Sequence, residues 1–491
     1  MTTPQYPEST TPPVPVAGRR SAGPGRIHQT ARVGQRPAPK NRQGQALPPL
    51  PVTSVKLEAG SSAQVFREAA AELLPEMQEM RRDLHQHPEI GLELPRTQAK
   101  VLEALAGLPL EITTGQDLDS VVAVLRGGQR GDHPASVLLR ADMDALAVHE
   151  RTGDPFASVN EYMHACGHDL HTAGLVGAAK ILCRYREELA GDVIFMFQPG
   201  EEGPGGAAPM IEEGVLDAAG RRPVAAYGIH VGPQDYGTFH YISGPLMASS
   251  SNLSISVFGK GGHGSRPHDA VDPVAALCEI VTSLQTAVTR RFDALDPVVI
   301  TVTNLWAGDG AFNAIPDRAS LGATVRVLRD EQIDHVRQVI TEVSSNIAAA
   351  HRCSAQVDFE MLYPTTKTND RENRFAANVW SAMFGAENVM PFEAPMMASE
   401  DFGYVLAQVP GTFMWLGTAN PNTPENQREW NHSPLARFDD RILGDQAAAL
   451  AAVAFERLAT EQEHPSPQTR AARQAARHPG EAQSPGTQAG E

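Results

Sequence analysis

The stretch Val193-Ile-Phe-Met-Phe-Gln-Pro-Gly-Glu-Glu-Gly203 decides how this chain is read. Its first five residues are all apolar, with no polar alternation. A strand of that kind is buried on both faces, as in the middle of a parallel sheet covered by helices. The apolar run is followed at once by Gln198, Pro199 and Gly200, and then by two adjacent carboxylates, Glu201 and Glu202. Open α/β sheets gather ligands beyond the carboxyl ends of their strands. Two acids in that position are costly to bury unless a cation or a reaction uses them.

Outward from this point, short apolar runs at 121–125, 137–139, 225–229 and 412–416 also read as strands. Helices alternate with them. Residues 64–84 place Val65, Ala69, Leu73, Leu74, Met77 and Leu84 at helical spacing, and 171–189 places Leu175, Ala178, Ala179 and Leu182 on one face. The alternation predicts an α/β layered domain around a mainly parallel sheet. Between 245 and 362 the pattern changes. Leu253, Ile255 and Val257 alternate with serines, and a helix from Asp272 carries Val274, Leu277, Ile280, Val281, Leu284 and Val288 as a stripe. Strands at 298–305 and 320–328, a helix at 331–350 and a strand at 355–359 complete a β-α-β-β-α-β unit, the split ferredoxin-like pattern. The expected organisation is a layered domain in two parts, 63–244 and 363–460, with an α+β domain of residues 245–362 inserted between them.

Residues 1–62 and 461–491 are expected to be disordered tails. Residues 1–56 hold eight Lys or Arg against one acid, Glu8, together with 11 of the 38 prolines, and so little apolar surface cannot offset the entropy of ordering. These residues contribute +7 to a whole-chain net charge of −17, so the rest of the chain carries −24, which argues against nucleic acid as a partner. No stretch reaches the ~18 apolar residues of a membrane span, and the first residues have no apolar signal region. The chain holds 4 cysteines, which excludes a disulfide scaffold and suits a reducing cytoplasm.

Other strand ends carry chemistry as well. Arg140-Ala-Asp142-Met-Asp144 follows one strand, His164-Ala-Cys166-Gly-His168-Asp169-Leu-His171 leads into a helix, His230 follows 225–229, and Asn431-His432-Ser433-Pro434 lies beyond 412–416. A single His, Cys or Glu pair of this sort is usually structural; the density and shared edge are what count. Cys166, His168, Glu202, His230 and His432 together offer thiolate, imidazole and carboxylate, a donor set for Zn, Mn, Co or Ni. Five donors exceed one tetrahedral ion with an open position, so two divalent ions about 3.5–4 Å apart fit better. Glu201, projecting differently from Glu202, is placed to act as general base, and Asp144 to orient a ligating histidine. His85 and His87 read as structural, and Cys183, Cys278 and Cys353 as core residues. Gly259-Lys-Gly-Gly-His-Gly-Ser-Arg lacks the Gly-Lys-[Ser/Thr] ending of a phosphate loop.

Several motifs occur in a fixed order from about 65 to 455: Arg82-Asp-Leu-His-Gln-His-Pro-Glu89, Arg140-Ala-Asp-Met-Asp-Ala-Leu, His164-Ala-Cys-Gly-His-Asp, Gln198-Pro-Gly-Glu-Glu-Gly, Gly228-Ile-His230, Gly261-Gly-His263-Gly, Asn313-Ala-Ile-Pro-Asp317, Ser399-Glu-Asp-Phe402 and Asn431-His-Ser-Pro434. In combination the chain resembles the metal-dependent amidohydrolase and aminoacylase branch of the co-catalytic metallopeptidases, which includes hippurate hydrolases, auxin–amino-acid conjugate hydrolases and N-acyl-amino-acid deacylases. The resemblance implies a catalytic α/β domain with a dimerising ferredoxin-like lid, the five ligands named above and Glu201 as base. It further implies that His263 stabilises the oxyanion across a homodimer or higher homo-oligomer, and that Asn313 and Arg326 hold the substrate carboxylate. For Arg326 a plain strand-face charge is an equal reading. Asp142-Met-Asp144 departs from the His-x-Asp of the wider clan, and Cys166 marks this branch. The expected activity is hydrolysis of the amide in an N-acyl amino acid or similar conjugate. The alternatives are a dipeptidase or aminobenzoyl-glutamate-type hydrolase, a hydrolase using Cys166 as nucleophile with His164 or His168 as base, and a non-catalytic metal-binding protein.

Overall fold

A computed structural model of the chain describes residues 62–131, 134–466 and 470. Apart from Ser62 and residues 461–466 and 470, the two expected tails lie outside the described residues. Both inner edges need correction. Ser62 is buried and opens the first helix, Ser62–Gln86. The last helix, Leu443–Glu463, runs past 461, because Glu461 is fully buried against Arg457 at 2.8 Å and accepts the Ser466 N–H at 2.7 Å.

Eight strands form one sheet in the order Leu110–Thr114, Val121–Arg126, Asp192–Gln198, Ser136–Asp142, Ala225–Asp235, Gly411–Ala419, Phe239–Tyr241 and Val389–Pro391. Its centre, Asp192–Gln198 to Gly411–Ala419, is parallel; the pairs towards the Leu110–Thr114 edge are antiparallel, and at the other edge an antiparallel pair with Phe239–Tyr241 is followed by a parallel pair with Val389–Pro391. Residues 193–197 are completely buried, as their unbroken apolar run requires. Helices Ser62–Gln86, His168–Arg184 and Leu443–Glu463 cover one face. The other face buries Ile194, Met196, Phe402, Phe413 and Trp415. The helix expected at 171–189 is displaced towards the N-terminus. Gly167 turns the chain at φ +87, where an added Cβ would meet Val231 at 2.4 Å, and His168 becomes the first helical residue. A 3₁₀ turn, Arg186–Glu188, replaces the expected last turn.

The second sheet has four antiparallel strands in the order Val298–Ala307, Arg318–Val327, Ser250–Phe258 and Ser354–Tyr363. Helices Pro273–Arg291 and Ile333–Ala350 pack on it through Leu277, Ile280, Leu284, Val336 and Ile340. This is the ferredoxin-like order, with the first strand between the third and the fourth. Asp272 caps its helix by accepting the Val274 N–H at 2.8 Å. Where the chain leaves and re-enters the large domain, Gly244–Met247 pairs with Thr366–Thr368. Contrary to expectation, Cys278 is exposed on its helix, while Cys183 and Cys353 are buried.

Candidate metal centre

The strand ends converge. Cys166, His168 and His230 place one ligand atom each within 4.8 Å of one another, and so do Cys166, Glu202 and His432. Cys166 Sγ lies 3.5 Å from His230 Nε2. Glu202 Oε1 lies 3.1 Å from His432 Nε2 and 3.8 Å from His168 Nε2. All five expected ligands thus meet around Cys166 and Glu202.

The hydrogen bonds behind these groups decide which nitrogen each ring offers. His168 Nδ1 donates to the Asp144 carbonyl at 2.8 Å and His230 Nδ1 to the Val231 carbonyl at 2.7 Å. Both rings therefore turn Nε2 into the cluster with its lone pair free. His171 is also in reach, but its Nδ1–H goes to Asp142 at 2.5 Å and its Nε2 accepts the Val231 N–H at 2.9 Å, so it has no lone pair left for a metal. His432 sits at φ +73, a left-handed conformation rare outside glycine. Its N–H bonds the Ala165 carbonyl at 2.8 Å, and the neighbouring Asn431 amide donates to the Cys166 and Val231 carbonyls at 3.1 Å each. Asn431 thereby fastens the His432 loop to the Cys166 loop.

The donors fit a cation. Burial and the surrounding carboxylates, Glu202 first, push the Cys166 thiol well above its ordinary value. Burial, with His171 nearby, holds His230 well below its ordinary value and so neutral. Burial opposes charge on His168 too, yet Asp142 and Asp144 raise it to about 10. His168 Nε2 is buried without a hydrogen-bond partner, an arrangement that is costly unless something binds it.

Glu201 is also buried, and burial with the nearby Glu400, Glu202 and Asp401 raises its carboxyl well above the usual range. Asp144 fixes the main chain here, accepting the Glu201 N–H at 2.9 Å and the Glu202 N–H at 3.0 Å. Its carboxylate therefore orients the two glutamates, and its carbonyl orients His168. Underneath, Arg140 pairs with Asp142 at 2.5 Å, Glu400 at 2.8 Å and Asp401 at 3.0 Å, all buried. This support was missed in the sequence, although the Arg140-Ala-Asp and Ser-Glu-Asp-Phe motifs contain it.

The lid residues lie apart. His263 and Ala314 face each other on two short paired strands, and Gly264 N–H bonds the Asn313 carbonyl at 2.7 Å, which brings His263 and Asn313 together. Both are exposed, and His263 Nδ1 lies 2.8 Å from the Ser265 hydroxyl. Arg326, on strand Arg318–Val327, is half-buried with Nη1 unpartnered. Among the described residues, no hydrogen bond or ion pair joins these three to the cluster of the same chain. His85 is buried in a separate network, with Nδ1 2.7 Å from Asp169 and Arg81 2.8 Å from the same carboxylate.

Residues 138–456 match peptidase family M20/M25/M40. The chain belongs to that family. It is 36% identical over 77% of its length to an N-acetylcysteine deacetylase of Bacillus subtilis, covering 97% of that protein. It is also 36% identical over 77% of its length to an IAA-amino acid hydrolase of Arabidopsis thaliana, covering 86% of it. A solved Bacillus subtilis structure, described as a dinuclear metal-binding peptidase of the M20 family, superposes with a TM-score of 0.68 at 31% identity, over 79% of this chain and 99% of that one. The M20 chain described here is accordingly a hydrolase of the amide-bond class with a layered catalytic domain and a lid, and its converging donors lie within the matched region.

Proposed function

We propose that this M20 chain hydrolyses the amide bond of N-acyl amino acids, adding water to give a carboxylic acid and a free amino acid. The observation that carries the reading is the buried convergence of Cys166, His168, Glu202, His230 and His432 with a spare carboxylate, Glu201, beside them. The two relatives named as an N-acetylcysteine deacetylase and an IAA-amino acid hydrolase support the substrate class.

Two divalent ions drawn from Mn, Zn, Co and Ni, held by those five residues, would polarise the scissile carbonyl and acidify water. Glu201 takes a proton from the attacking water and returns it to the leaving amine. Asp144 holds Glu201 and Glu202 in place through their N–H groups. His263 donates to the carbonyl oxygen as it gains charge, and Asn313 and Arg326 receive the substrate carboxylate. His263 is exposed and, among the described residues, has no hydrogen bond or ion pair to its own cluster, and its proposed place is the site of a second copy. The lid offers an edge for that pairing: strand Val298–Ala307 is unpaired on one side and exposes Leu305 and Trp306, with Phe312 exposed nearby. Among the described residues no helix is long and apolar enough to cross a membrane, and a cytoplasmic location is proposed from the cysteine usage.

A cysteine nucleophile fits poorly. Reactive thiols have lowered pKa values, whereas Cys166 is raised, and His164 is driven to about 3 by burial with neither ring nitrogen partnered. Side-by-side assay of N-acetyl amino acids, aminobenzoyl-glutamate and dipeptides tests the substrate class; cleavage of dipeptides with N-acyl amino acids untouched would replace it.

A further inference from the structure

The Glu201–Gly203 loop is held from two sides. From the catalytic domain, the Asp144 carboxylate takes its N–H groups. From the other side, the Tyr363 hydroxyl donates to the Glu201 carbonyl at 2.8 Å and lies 3.1 Å from the Gly203 carbonyl. Tyr363, one residue beyond the 245–362 span expected for the lid, is the last residue of the lid strand Ser354–Tyr363, and it is buried. The register of that strand against Ser250–Phe258 slips between Met361 and Tyr363, so that Met361 pairs with Ser251 and Tyr363 with Ser250. An irregularity of this kind re-aims the following side chain, and here it turns a lid residue into the catalytic domain. The slip itself is pinned, because Tyr404 from the catalytic domain donates to the Leu362 carbonyl at 2.7 Å. The ring of Tyr363 lies against Gly205, at φ +75, where a Cβ would come within 3.0 Å of Cε1. A side chain at 205 would crowd the ring and sit on a left-handed backbone that favours glycine.

We propose that Tyr363 is a positioning residue, whose hydroxyl fixes the main chain of Glu201 and so ties the aim of the catalytic carboxylate to the seating of the lid. This rests on the reading of Glu201 as the base. The ends of the loop's peptide groups are then held by one residue of each domain, and a carboxylate that must face water and leaving amine in turn keeps one geometry. A lid that moved off the hinge would withdraw the hydroxyl from the Glu201 carbonyl and loosen the base, without touching any of the five metal donors.

The test uses the metal-loaded full chain and an N-acetyl amino acid that the wild type cleaves. Tyr363→Phe keeps the ring against Gly205 and deletes the donor. It should lower kcat about tenfold, the size of one hydrogen bond, with KM within about twofold and metal content unchanged. Tyr404→Phe loosens the pin behind Tyr363 but leaves the Tyr363 hydroxyl in place, and should lower kcat by less than Tyr363→Phe does. Replacing Tyr363 by 4-aminophenylalanine, which restores a donor, should recover most of the lost kcat. A wild-type kcat in Tyr363→Phe, an equal loss in both phenylalanine variants, an effect confined to KM, loss of metal, or no recovery in the folded amino variant overturns the proposal. Glu201→Gln in the same assay separates the two claims. If it is inactive while Tyr363→Phe is normal, Tyr363 alone is wrong; if Glu201→Gln turns over normally, the base assignment falls first.

Discussion

His168 Nδ1 lies 2.8 Å from the carbonyl oxygen of Asp144, and the carboxylate of the same aspartate takes the N–H groups of both active-site glutamates. One residue therefore sets the ring orientation of a metal donor and the loop that carries the base. Asp144→Ala keeps the main-chain carbonyl that orients His168 but removes the carboxylate that anchors Glu202, and should weaken metal binding roughly 10–100-fold, the usual size of losing a group that orients a ligand. It should also leave kcat depressed at saturating metal, since Glu201 loses its anchor. Metal titration followed by assay at saturation checks both; full activity once metal is restored would confine Asp144 to metal binding.

Glu201 and Glu202 are adjacent but face different partners. Glu201→Gln should retain metal and lower kcat by roughly 10²–10⁴, the range for a lost general base. Glu202→Gln, deprived of the carboxylate that meets His432 and His168, should lose metal. Elemental analysis beside kcat distinguishes them.

His263→Ala should cost about 10²–10³ in kcat with metal intact, as for one oxyanion donor. Mixing His263→Ala with Glu201→Gln subunits should regenerate activity, because one site per mixed dimer then has both groups. No recovery after verified subunit exchange contradicts action across the dimer.

Away from the metals, the His85–Asp169 contact makes stability depend on pH. Burial and Arg81 oppose charge on His85, but Asp169 and Glu150 raise its pKa above the ordinary value. A raised native pKa contributes stability that is full below the unfolded value of about 6.5 and is lost as pH rises through the native value. His85→Gln should therefore destabilise the protein more in mild acid than in mild alkali, measured by urea unfolding at both; an equal effect at the two would show that the histidine is neutral throughout.

Much of this molecule could be read from the chain. The unbroken 193–197 run and the serine alternation at 253–257 report burial on two faces or one, which is a local property, so both domains were legible. Strands Leu110–Thr114, Phe239–Tyr241 and Val389–Pro391 were not, since short strands at or next to a sheet edge, with mixed residues, carry no period. The five proposed metal donors stood out because they crowd at strand ends. The Arg140–Glu400–Asp401 group was invisible, as its members are some 260 residues apart and meet only through the sheet order. Tyr363 gave no signal, because its role depends on a slip in register that no pattern in the sequence marks.

The most direct measurement is hydrolysis of N-acetyl and N-benzoyl amino acids by the purified chain, before and after exhaustive chelation and then with Mn, Zn, Co or Ni restored. The account predicts release of free amino acid, its loss on chelation, and its return with added divalent ion. Hydrolysis that survives complete metal removal but stops when Cys166 is alkylated would contradict it.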